Sequence, residues 1–213
     1  MMQVLITAGP TREHIDPVRY ISNHSSGKMG IALADEFALR GWQVVLVKGP
    51  TSVLPKVHGI KVVDVESAAE MFEATSIYFQ QSDVVIFAAA VADYTPKYPS
   101  NLKIKKKELE MTLELVKTID IAGTLSKGKR NDQTVIGFAL ETDHELENAE
   151  QKLAKKNFDA VVLNSMQDAG AGFQYDTNRI TIIDNTGKVI EYTLKAKAEV
   201  AKDIADYVLK RRG

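Results

Sequence analysis

The chain has 213 residues, 45% of them hydrophobic, which is enough for a full core, so we expect one domain over residues 1–213. Its formal net charge of -1 gives no global attraction to nucleic acid or to a membrane surface, which argues against both as partners. It has no cysteine, and Met1 leads directly into a strand pattern without a basic leader or an apolar span of about 18 residues, so we expect a soluble cytoplasmic protein.

Short apolar segments of strand type recur along the chain. They are QVLITA (3–8), WQVVLV (42–47), IKVVDV (60–65), DVVIFAAA (83–90) and QTVIGFAL (133–140), followed by DAVVLN (159–164). Since the first five are apolar on both faces, they indicate buried parallel strands.

Helical patterns lie between these strands. Apolar residues at intervals of four precede Gly41 in the first helix, Ser67 opens the second with a capping-box spacing to Glu70, and a third runs over about 145–157. This alternation predicts an α/β fold, with a doubly wound, mostly parallel, Rossmann-like sheet and helices on both faces.

The last third of the chain departs from this alternation. The segments 178–184 and 188–194 flank a turn sequence and predict an antiparallel hairpin. A closing helix follows, with one predicted apolar face: Ala198, Ala201, Ile204, Ala205, Val208 and Leu209. Three long irregular stretches, 9–26, 91–108 and 164–178, follow strands and should meet at the carboxyl end of the sheet, where ligands bind in this fold.

The segment YISNHSSGKMG (20–30) contains a Gly-Lys pair but is not a Walker loop, because Ser22 and Met29 occupy positions that require glycine and a hydroxyl residue. A dinucleotide fingerprint is disfavoured as well. Gly9 and Gly27 are too far apart, and strand 42–47 is followed by Lys48 rather than an acidic residue. The helix N-terminus at residues 25–28 could still hold a phosphate through its free N–H groups and dipole.

Two further segments offer both a structural and a functional interpretation. The lysines of KIKKK, Lys103, Lys105, Lys106 and Lys107, form either a solvated surface or a counterpart to a triphosphate, and their place in a strand-end loop favours the second. The run AAAVADY (88–94) permits tight packing or close approach to a flat ligand, with Asp93 as a cap or as an acceptor from a ribose or amino group.

Other catalytic arrangements are not supported. The four histidines lack the spacing of metal ligands, and no nucleophile elbow is present. GFALET (137–142) is followed by Lys152 and Lys156 on one helical face. Taken alone, these two lysines would be assigned to the protein surface without a role.

Five segments in order, ITAGPTREHIDPVRYISNHSSGKMG, AAAVADYTP, KIKKK, GFALET and KKNFDAVVLN, resemble the phosphopantothenoylcysteine synthetases in their free-standing bacterial form. The resemblance covers nearly the whole chain. It implies a ligase of coenzyme A biosynthesis that joins 4'-phosphopantothenate to L-cysteine through an acyl-cytidylate, with release of pyrophosphate and CMP. The resemblance further implies that CTP binds together with Mg²⁺ and that no flavin is used. It also implies a homodimer, for which we expect the hairpin 178–194 to contribute the surface.

The resemblance also implies residue roles. Asn23 would orient the acyl-nucleotide, Arg19 would assist the cysteine step, and Lys103 would assist activation of the carboxylate. Ala90, beside the nucleotide-binding residues Ala88, Ala89 and Asp93, is counted with these catalytic positions. The implied nucleotide contacts are Ala88, Ala89, Asp93, Phe138, Lys152, Lys156 and the run Ile119, Asp120, Ile121 and Ala122, where the bacterial pattern usually has Pro-Asp-Ile-Val. Ser25, Ser26, Gly27, Lys28, Lys105 and Lys106 would contact substrate phosphate. No metal ligand is predicted.

Two other functions remain open at this stage: an NAD(P)-dependent Rossmann reductase and a non-catalytic nucleotide-binding regulator. Lys48 opposes the first, and the presence of Asn23 and Lys103 opposes the second. We also expect the segment 165–178 and the lysine loop 103–107 to become ordered only when substrate binds, since clustered lysines repel one another.

Overall fold

A computed structural model of the chain describes residues 1–105, 109–141, 143–165 and 175–212, with Ser165 described by its backbone alone. The strands are β1 Gln3–Ala8, β2 Arg12–His14, β3 Tyr20–Ser22, β4 Gln43–Lys48, β5 Lys61–Asp64, β6 Val84–Phe87, β7 Tyr94–Pro96, β8 Leu115–Lys117, β9 Thr134–Glu141, β10 Ala160–Ser165, β11 Thr177–Asn178, β12 Ile180–Asp184, β13 Val189–Glu191 and β14 Lys195–Ala196. The helices are α1 Lys28–Leu39, α2 Ala68–Phe79, α3 Ile121–Leu125, α4 Glu145–Lys155 and α5 Lys197–Arg212.

Eight strands form the central sheet in the order β13-β12-β10-β9-β6-β1-β4-β5. The six from β10 to β5 run parallel, whereas β12 is antiparallel to β10 and β13 is antiparallel to β12. The predicted fold class, a mostly parallel doubly wound sheet with a C-terminal antiparallel hairpin, is confirmed.

Helices cover both faces of the sheet. One core contains the buried sides of α1 and α5, including Phe37 and Ile204, packed on Ile6 and its neighbours. The other contains α2, α3 and α4, with Met71 and Leu153 among its buried residues. Successive residues of each central strand enter opposite cores, which is why these strands are apolar on both faces.

The second helix begins as its sequence predicts. The Ser67 side chain accepts a hydrogen bond from the Glu70 N–H at 3.2 Å. The Glu70 carboxylate in turn accepts from the N–H of Glu66 at 2.7 Å, whereas a capping box would use the N–H of Ser67. Residues 66–70 therefore satisfy two backbone N–H groups at the start of the helix.

One prediction about burial was wrong, and another was confirmed only in part. The segment 60–65 is parallel to β4, but β5 is the edge strand of the sheet, and Val62 is 38% exposed there. In α5 four residues of the predicted apolar face are buried, Ala201, Ile204, Ala205 and Val208, whereas Ala198 and Leu209 are exposed and Val200 is buried as well.

The long loops are more regular than expected. Residues 9–26 contain the β2–β3 hairpin, β7 pairs with β8, and β11 pairs with β14, each as a small two-stranded sheet. Local alternation in these short segments is too brief to predict strands, and long-range pairing decided them. Most of 165–178, and Lys106 and Lys107 of the lysine loop, lie outside the described residues, as does Thr142.

Candidate active site

A cavity of about 740 Å³ opens at the carboxyl end of the parallel strands. Its walls come from the ends of β1, β6, β9 and β10, the N-terminus of α1, and parts of α3 and α4. This is the place where doubly wound sheets bind ligands, and the volume suits a small molecule. The loops after β1 and β6 and the end of β10 therefore contribute to one cavity.

Most of the residues selected from the sequence line this cavity. They are Asn23, Ser25, Ser26, Gly27, Lys28, Ala88, Ala89, Ala90, Asp93, Ile119, Asp120, Ile121, Ala122, Phe138, Lys152 and Lys156. Arg19, Lys103 and Lys105 are not among the lining residues, and Lys106 lies outside the described part of the chain. Placement in the wall assigns no chemical role, so the roles stay predictions.

The loop before α1 is held against the end of β1 by glycines. Gly27 has a φ of +74°, and a Cβ there would lie 3.2 Å from the Cα of Gly9. At Gly30 a Cβ would lie 2.5 Å from the Cβ of Ala8. The Thr51 hydroxyl donates to the Ser26 carbonyl at 2.7 Å. The helix therefore starts directly at the cavity wall.

Helix α1 begins without a side-chain cap and without an acidic residue in its first turn. The first N–H groups of an α-helix have no partner inside the helix, and they form the positive end of its dipole. Lys28 adds a formal positive charge at this point. The arrangement favours an anion at the α1 end of the cavity.

Asn23 connects the first loop to the segment after β6. Its Nδ2 donates to the carbonyl oxygens of Ala90 at 3.1 Å and Val91 at 3.0 Å, and the Ala90 N–H donates to Gly9 at 2.9 Å. Both amide hydrogens of Asn23 are thus engaged, so its Oδ1 is the group that can accept from a ligand. The segment 88–91 is fixed from two sides and presents backbone and small side chains to the cavity.

Lysines and one carboxylate form the α4 side of the cavity. Lys156 donates to Asp120 at 2.8 Å, and the Asp120 side chain also caps α3 by accepting from the Gly123 N–H at 3.0 Å. Burial alone would raise the pKa of Asp120, but these two bonds offset it and the pKa lies below its usual value. Burial, and then the charge of Lys156, lower the pKa of Lys152. Lys156 is therefore held in place by a carboxylate, while Lys152 is the partly desolvated cation.

Aromatic rings form an apolar part of the wall that the sequence analysis missed. Phe87 and Phe158 line the cavity and stack with ring centroids 6.1 Å apart. A Cβ at Gly137 would lie 2.1 Å from the Phe158 ring, so only glycine fits at this point of β9. Together with Phe138, these rings offer a surface for a flat group.

Several polar wall residues were also missed: Thr7, Asn164, Asn178, Lys155 and Lys197. Asn164 is the second-last residue of β10, and a polar residue near the end of a buried strand is a signal that could have identified it. Asn178 and Lys197 follow the last parallel strand, in a region where the sequence shows no corresponding signal.

Arg19 belongs to a separate cluster that joins two loops. The buried carboxylate of Asp16 accepts from Arg19 Nε at 3.1 Å and from the Ile104 N–H at 3.0 Å, and Arg19 also donates to the Ile104 carbonyl at 2.9 Å. The hydrogen bonds from Arg19 hold the pKa of Asp16 well below its usual range. The cluster holds the backbone of Ile104, and the neighbouring Lys103 and Lys105 are exposed.

Other kinds of site find no support in the described ranges. The described residues contain no group of three or more His, Cys, Asp or Glu side chains that could hold a metal ion. They also contain no helix that is long and apolar enough to cross a membrane. Where a dinucleotide fold places an acidic residue, the buried Lys48 pairs with Asp64.

Comparison with known proteins gives the family. Residues 1–211 match the model of the DNA/pantothenate metabolism flavoprotein C-terminal domain. The chain is 54% identical over 207 residues to a cysteine/cysteine sulfinic acid decarboxylase from an unknown prokaryotic organism, covering 97% of this chain and 58% of that protein. It is 45% identical over 201 residues to the coenzyme A biosynthesis bifunctional protein CoaBC of Bacillus subtilis (strain 168), covering 94% and 49%.

Among solved structures, the C-terminal domain of a coenzyme A biosynthesis bifunctional protein CoaBC superposes with a TM-score of 0.82 at 43% identity, covering 97% of this chain and 93% of that one. The chain thus spans about half the length of the curated relatives and nearly all of this solved domain. The family inferred from the five segments is confirmed, and the chain belongs to the DNA/pantothenate metabolism flavoprotein C-terminal domain family.

Proposed function

We propose that the chain is a phosphopantothenate–cysteine ligase that uses CTP. In the first step a carboxylate oxygen of 4'-phosphopantothenate attacks the α-phosphorus of CTP, the bond to the β-phosphate oxygen breaks, and pyrophosphate leaves with its electron pair. In the second step the amine of L-cysteine attacks the acyl carbon, the bond to the CMP oxygen breaks, and the amine loses a proton as the amide forms.

The observation that carries this proposal is the composition of the cavity. The cavity wall combines a fixed backbone segment, residues 88–91, with Lys28 at the start of α1 and with Lys152 and Lys156 at α4. Both phosphate-bearing substrates need cations, and the reaction needs placement and charge stabilisation more than a protein nucleophile. Membership of the family, and the names of the CoaBC relatives, support the same reaction.

The nucleotide is proposed to occupy the α4 side. The base would lie on Phe138 and the neighbouring rings, Lys152 and Lys156 would bind phosphate oxygens, and Asp93 would accept from the ribose or amino group. The run from Ile119 to Ala122, which includes the α3 cap, would complete this wall. Preference for CTP over ATP is inferred from the bacterial pattern of the first loop.

Asn23 is proposed to orient the acyl-cytidylate, because it lies on the wall and fixes the segment that includes Ala88, Ala89 and Ala90. Residues 25–28 would bind phosphate at the α1 end. Arg19 keeps its proposed role in the cysteine step and Lys103 its role in activation, while Lys105 and Lys106 are proposed to contact substrate phosphate. Arg19, Lys103 and Lys105 do not line the cavity, so their proposed roles need the loop beside the Asp16 cluster to approach the bound substrates.

Mg²⁺ is proposed to accompany the triphosphate, where it would neutralise phosphate charge. It prefers oxygen ligands and usually keeps several waters beside substrate phosphates, so a cage of carboxylates is not needed. The buried Oδ1 of Asn164 lines the cavity and has no hydrogen-bond partner in the described structure, so it fits as the protein's oxygen toward this ion. No flavin enters the proposed reaction.

Two features of organisation also belong to the proposal. We treat residues 1–213 as one synthetase domain, and we infer that two copies associate as a homodimer through a surface that includes the hairpin 178–194.

The test is release of pyrophosphate from CTP, with phosphopantothenate present or omitted and cysteine withheld. Release that requires phosphopantothenate supports an activating ligase, and amide formed after addition of cysteine completes the assignment. Comparable turnover with ATP would contradict the CTP preference. Absence of release under every condition would leave a nucleotide-binding protein without this activity.

A decarboxylase is the second candidate, favoured by the name of the 54% identical relative, of which the chain spans 58%. The same preparation should be tested for release of CO₂ from cysteine, cysteine sulfinic acid and the amide product. Release of CO₂ without release of pyrophosphate would favour the decarboxylase over the ligase.

A further inference from the structure

The Asp16 carboxylate is buried at the junction of two loops, and Asp16 is not among the residues predicted for the site. It is 1% exposed. Its Oδ1 accepts from the N–H groups of Val18 and Arg19, each at 2.9 Å, which closes a local turn. Its Oδ2 accepts from Arg19 Nε at 3.1 Å and from the Ile104 N–H at 3.0 Å. One oxygen therefore shapes its own loop, and the other holds a guanidinium and a second loop, 88 residues further along the chain.

Ile104 is held through both of its backbone polar groups. Its N–H donates to Asp16, and its carbonyl oxygen accepts from Arg19 Nη2 at 2.9 Å. Lys103 directly precedes Ile104, so the peptide group that joins them contains the N–H that Asp16 holds. The backbone at Lys103 is therefore tied to Arg19 through one carboxylate.

The cluster leaves part of Arg19 available for a ligand. Its Nε and Nη2 donate inside the cluster, whereas Nη1 has no hydrogen-bond partner among the described residues, and the Arg19 side chain is 37% exposed. Lys103 is exposed as well. The hydrogen bonds from Arg19 hold the pKa of Asp16 well below its usual range, so the carboxylate stays charged. Two cations are thus presented to solvent beside a carboxylate that is itself buried.

We propose that Asp16 is a positioning residue of the ligase, which holds Arg19 and the backbone at Lys103 in one fixed arrangement for the two steps of the reaction. The proposal rests on the ligase function proposed above, in which Lys103 acts in activation and Arg19 in the cysteine step. Asp16 acts through these two residues, because its own side chain is buried and cannot reach a substrate. One carboxylate therefore couples a group of the first step to a group of the second.

The substitution Asp16→Asn breaks this arrangement selectively. Asparagine has nearly the same shape, but one of its two terminal groups is an NH₂ donor, which cannot accept from an N–H group. Asparagine keeps its oxygen in a turn of this kind, so the NH₂ lies where Oδ2 accepted from Arg19 and Ile104. Donors then face donors on that side only. The local turn remains, as does the bond from the Ser100 N–H to the Ile15 carbonyl, so we expect the variant to fold.

The first test is amide hydrogen exchange at Ile104, measured by NMR. The Ile104 N–H should exchange about 10–100-fold faster in Asp16→Asn than in the wild type, because it loses a charged acceptor. Asp35→Asn is the matched control. The Asp35 carboxylate likewise accepts from two backbone N–H groups of a distant loop, those of Lys56 and Val57 at 2.8 and 3.0 Å, but it does not line the cavity. Unchanged exchange at Ile104 in Asp16→Asn would overturn the proposal.

The second test separates the two steps of the reaction. Pyrophosphate release from CTP without cysteine measures activation, and amide formation after cysteine is added to the preformed intermediate measures the second step. Asp16→Asn should slow both by about 10–100-fold with an unchanged Kd for CTP, because a catalytic group displaced by about 1 Å has an effect of this size.

Single and double variants then show whether Asp16 acts through its two partners. Lys103→Met should slow activation alone, and Arg19→Met should slow the cysteine step alone. Either change should have a smaller effect in the Asp16→Asn protein than in the wild type, since the group it removes is already displaced. Effects that multiply independently in the double variants would overturn the proposal.

Failure of this role can be distinguished from failure of the ligase function. If the wild type is active and Asp16→Asn, folded by circular dichroism, keeps both rates within about twofold of Asp35→Asn, the role of Asp16 is overturned alone. A loss of CTP binding in step with a lowered Tm would also overturn it, since Asp16 would then support the fold as a whole. If the wild type binds CTP but releases no pyrophosphate, the ligase function fails, and the role of Asp16 fails with it.

Discussion

The two ends of the central sheet use similar polar residues for opposite purposes. At the amino end, before β10, the buried Asp159 accepts from the Val135 N–H at 2.8 Å and pairs with Lys129 at 3.1 Å. Gln133, also buried, donates to the carbonyls of Phe79 and Ser82 at 2.6 and 2.9 Å. At the carboxyl end, the buried Asn164 and Asn178 of the cavity wall keep oxygens without a partner in the described structure. Ser126 Oγ and Arg212 Nε are also buried without a partner there, but neither residue lines the cavity.

The difference lies in access to a ligand. Paired buried groups at the amino end tie strands and the C-terminal helix together, and their free energy belongs to the fold. The Asn164 and Asn178 oxygens without a partner in the described structure belong to residues of the cavity wall, so a bound molecule would offset the cost of burying them. Substitutions at the two ends should therefore separate activity from stability.

The largest expected effect is at the carboxyl end, in Asn23→Asp. A carboxylate cannot donate to the carbonyls of Ala90 and Val91 and would repel them. We expect formation of the amide to fall by about 10²–10³-fold, with pyrophosphate release retained in the absence of cysteine. Stopped assays of both products measure this. Asn185→Asp at the amino end is the matched control, and equal loss in both variants would contradict the comparison.

The next effect is at the amino end, in Asp159→Ala. The change leaves Lys129 without its partner and the buried Val135 N–H unsatisfied, so the free energy of unfolding should fall by about 3 kcal/mol. Thermal unfolding should show a Tm lower by about 6–12 °C. The KM for CTP at a temperature where the variant is folded should be unchanged; a raised KM would mean that the two ends are coupled.

A smaller effect is the pH dependence of CTP binding. Burial and Lys156 lower the pKa of Lys152 in the free protein, whereas bound phosphate favours the charged ammonium. CTP affinity should therefore fall as the pH rises through this lowered pKa, by up to about tenfold per pH unit. Lys152→Arg stays charged and should remove this fall. Titrations by calorimetry at several pH values test it, and an unchanged pH profile in Lys152→Arg would assign the dependence to another group.

The smallest effect is expected away from both ends, in Lys202→Ala. Lys202 pairs with Glu199 on the exposed side of α5, and both side chains are more than half exposed. Loss of this pair should change the free energy of unfolding by less than about 0.5 kcal/mol and leave activity as it is. Urea unfolding is the measurement. If Lys202→Ala lowered the free energy of unfolding as much as Asp159→Ala, burial would not explain the difference between the exposed Lys202–Glu199 pair and the buried Asp159.

Much of the fold was predictable because long apolar runs carry a strong periodic signal. β1 has its predicted bounds, and the Ser67 cap and the 178–194 hairpin form where local sequence predicts them. Val62 and Leu209 were placed wrongly because hydrophobicity does not tell which strand is last in a sheet or which helical face meets it. That information resides in the strand order.

Within the site, the sequence by itself determined the residues that occur in compact motifs. The segments 23–28 and 88–93 are contiguous, and their small and polar composition follows from close approach of the backbone to the strand ends. Membership of the family was also fixed by these motifs.

Only the tertiary structure decided which isolated residues join them. Asn178 and Lys197 reach the cavity because β11 pairs with β14. Phe158 can stack on Phe87 because Gly137 of β9 has no side chain where the Phe158 ring lies. Local sequence specifies strands and caps through short-range hydrogen bonding and periodicity. Contacts between segments that are not neighbours in the chain depend on strand order and packing, which no local pattern encodes.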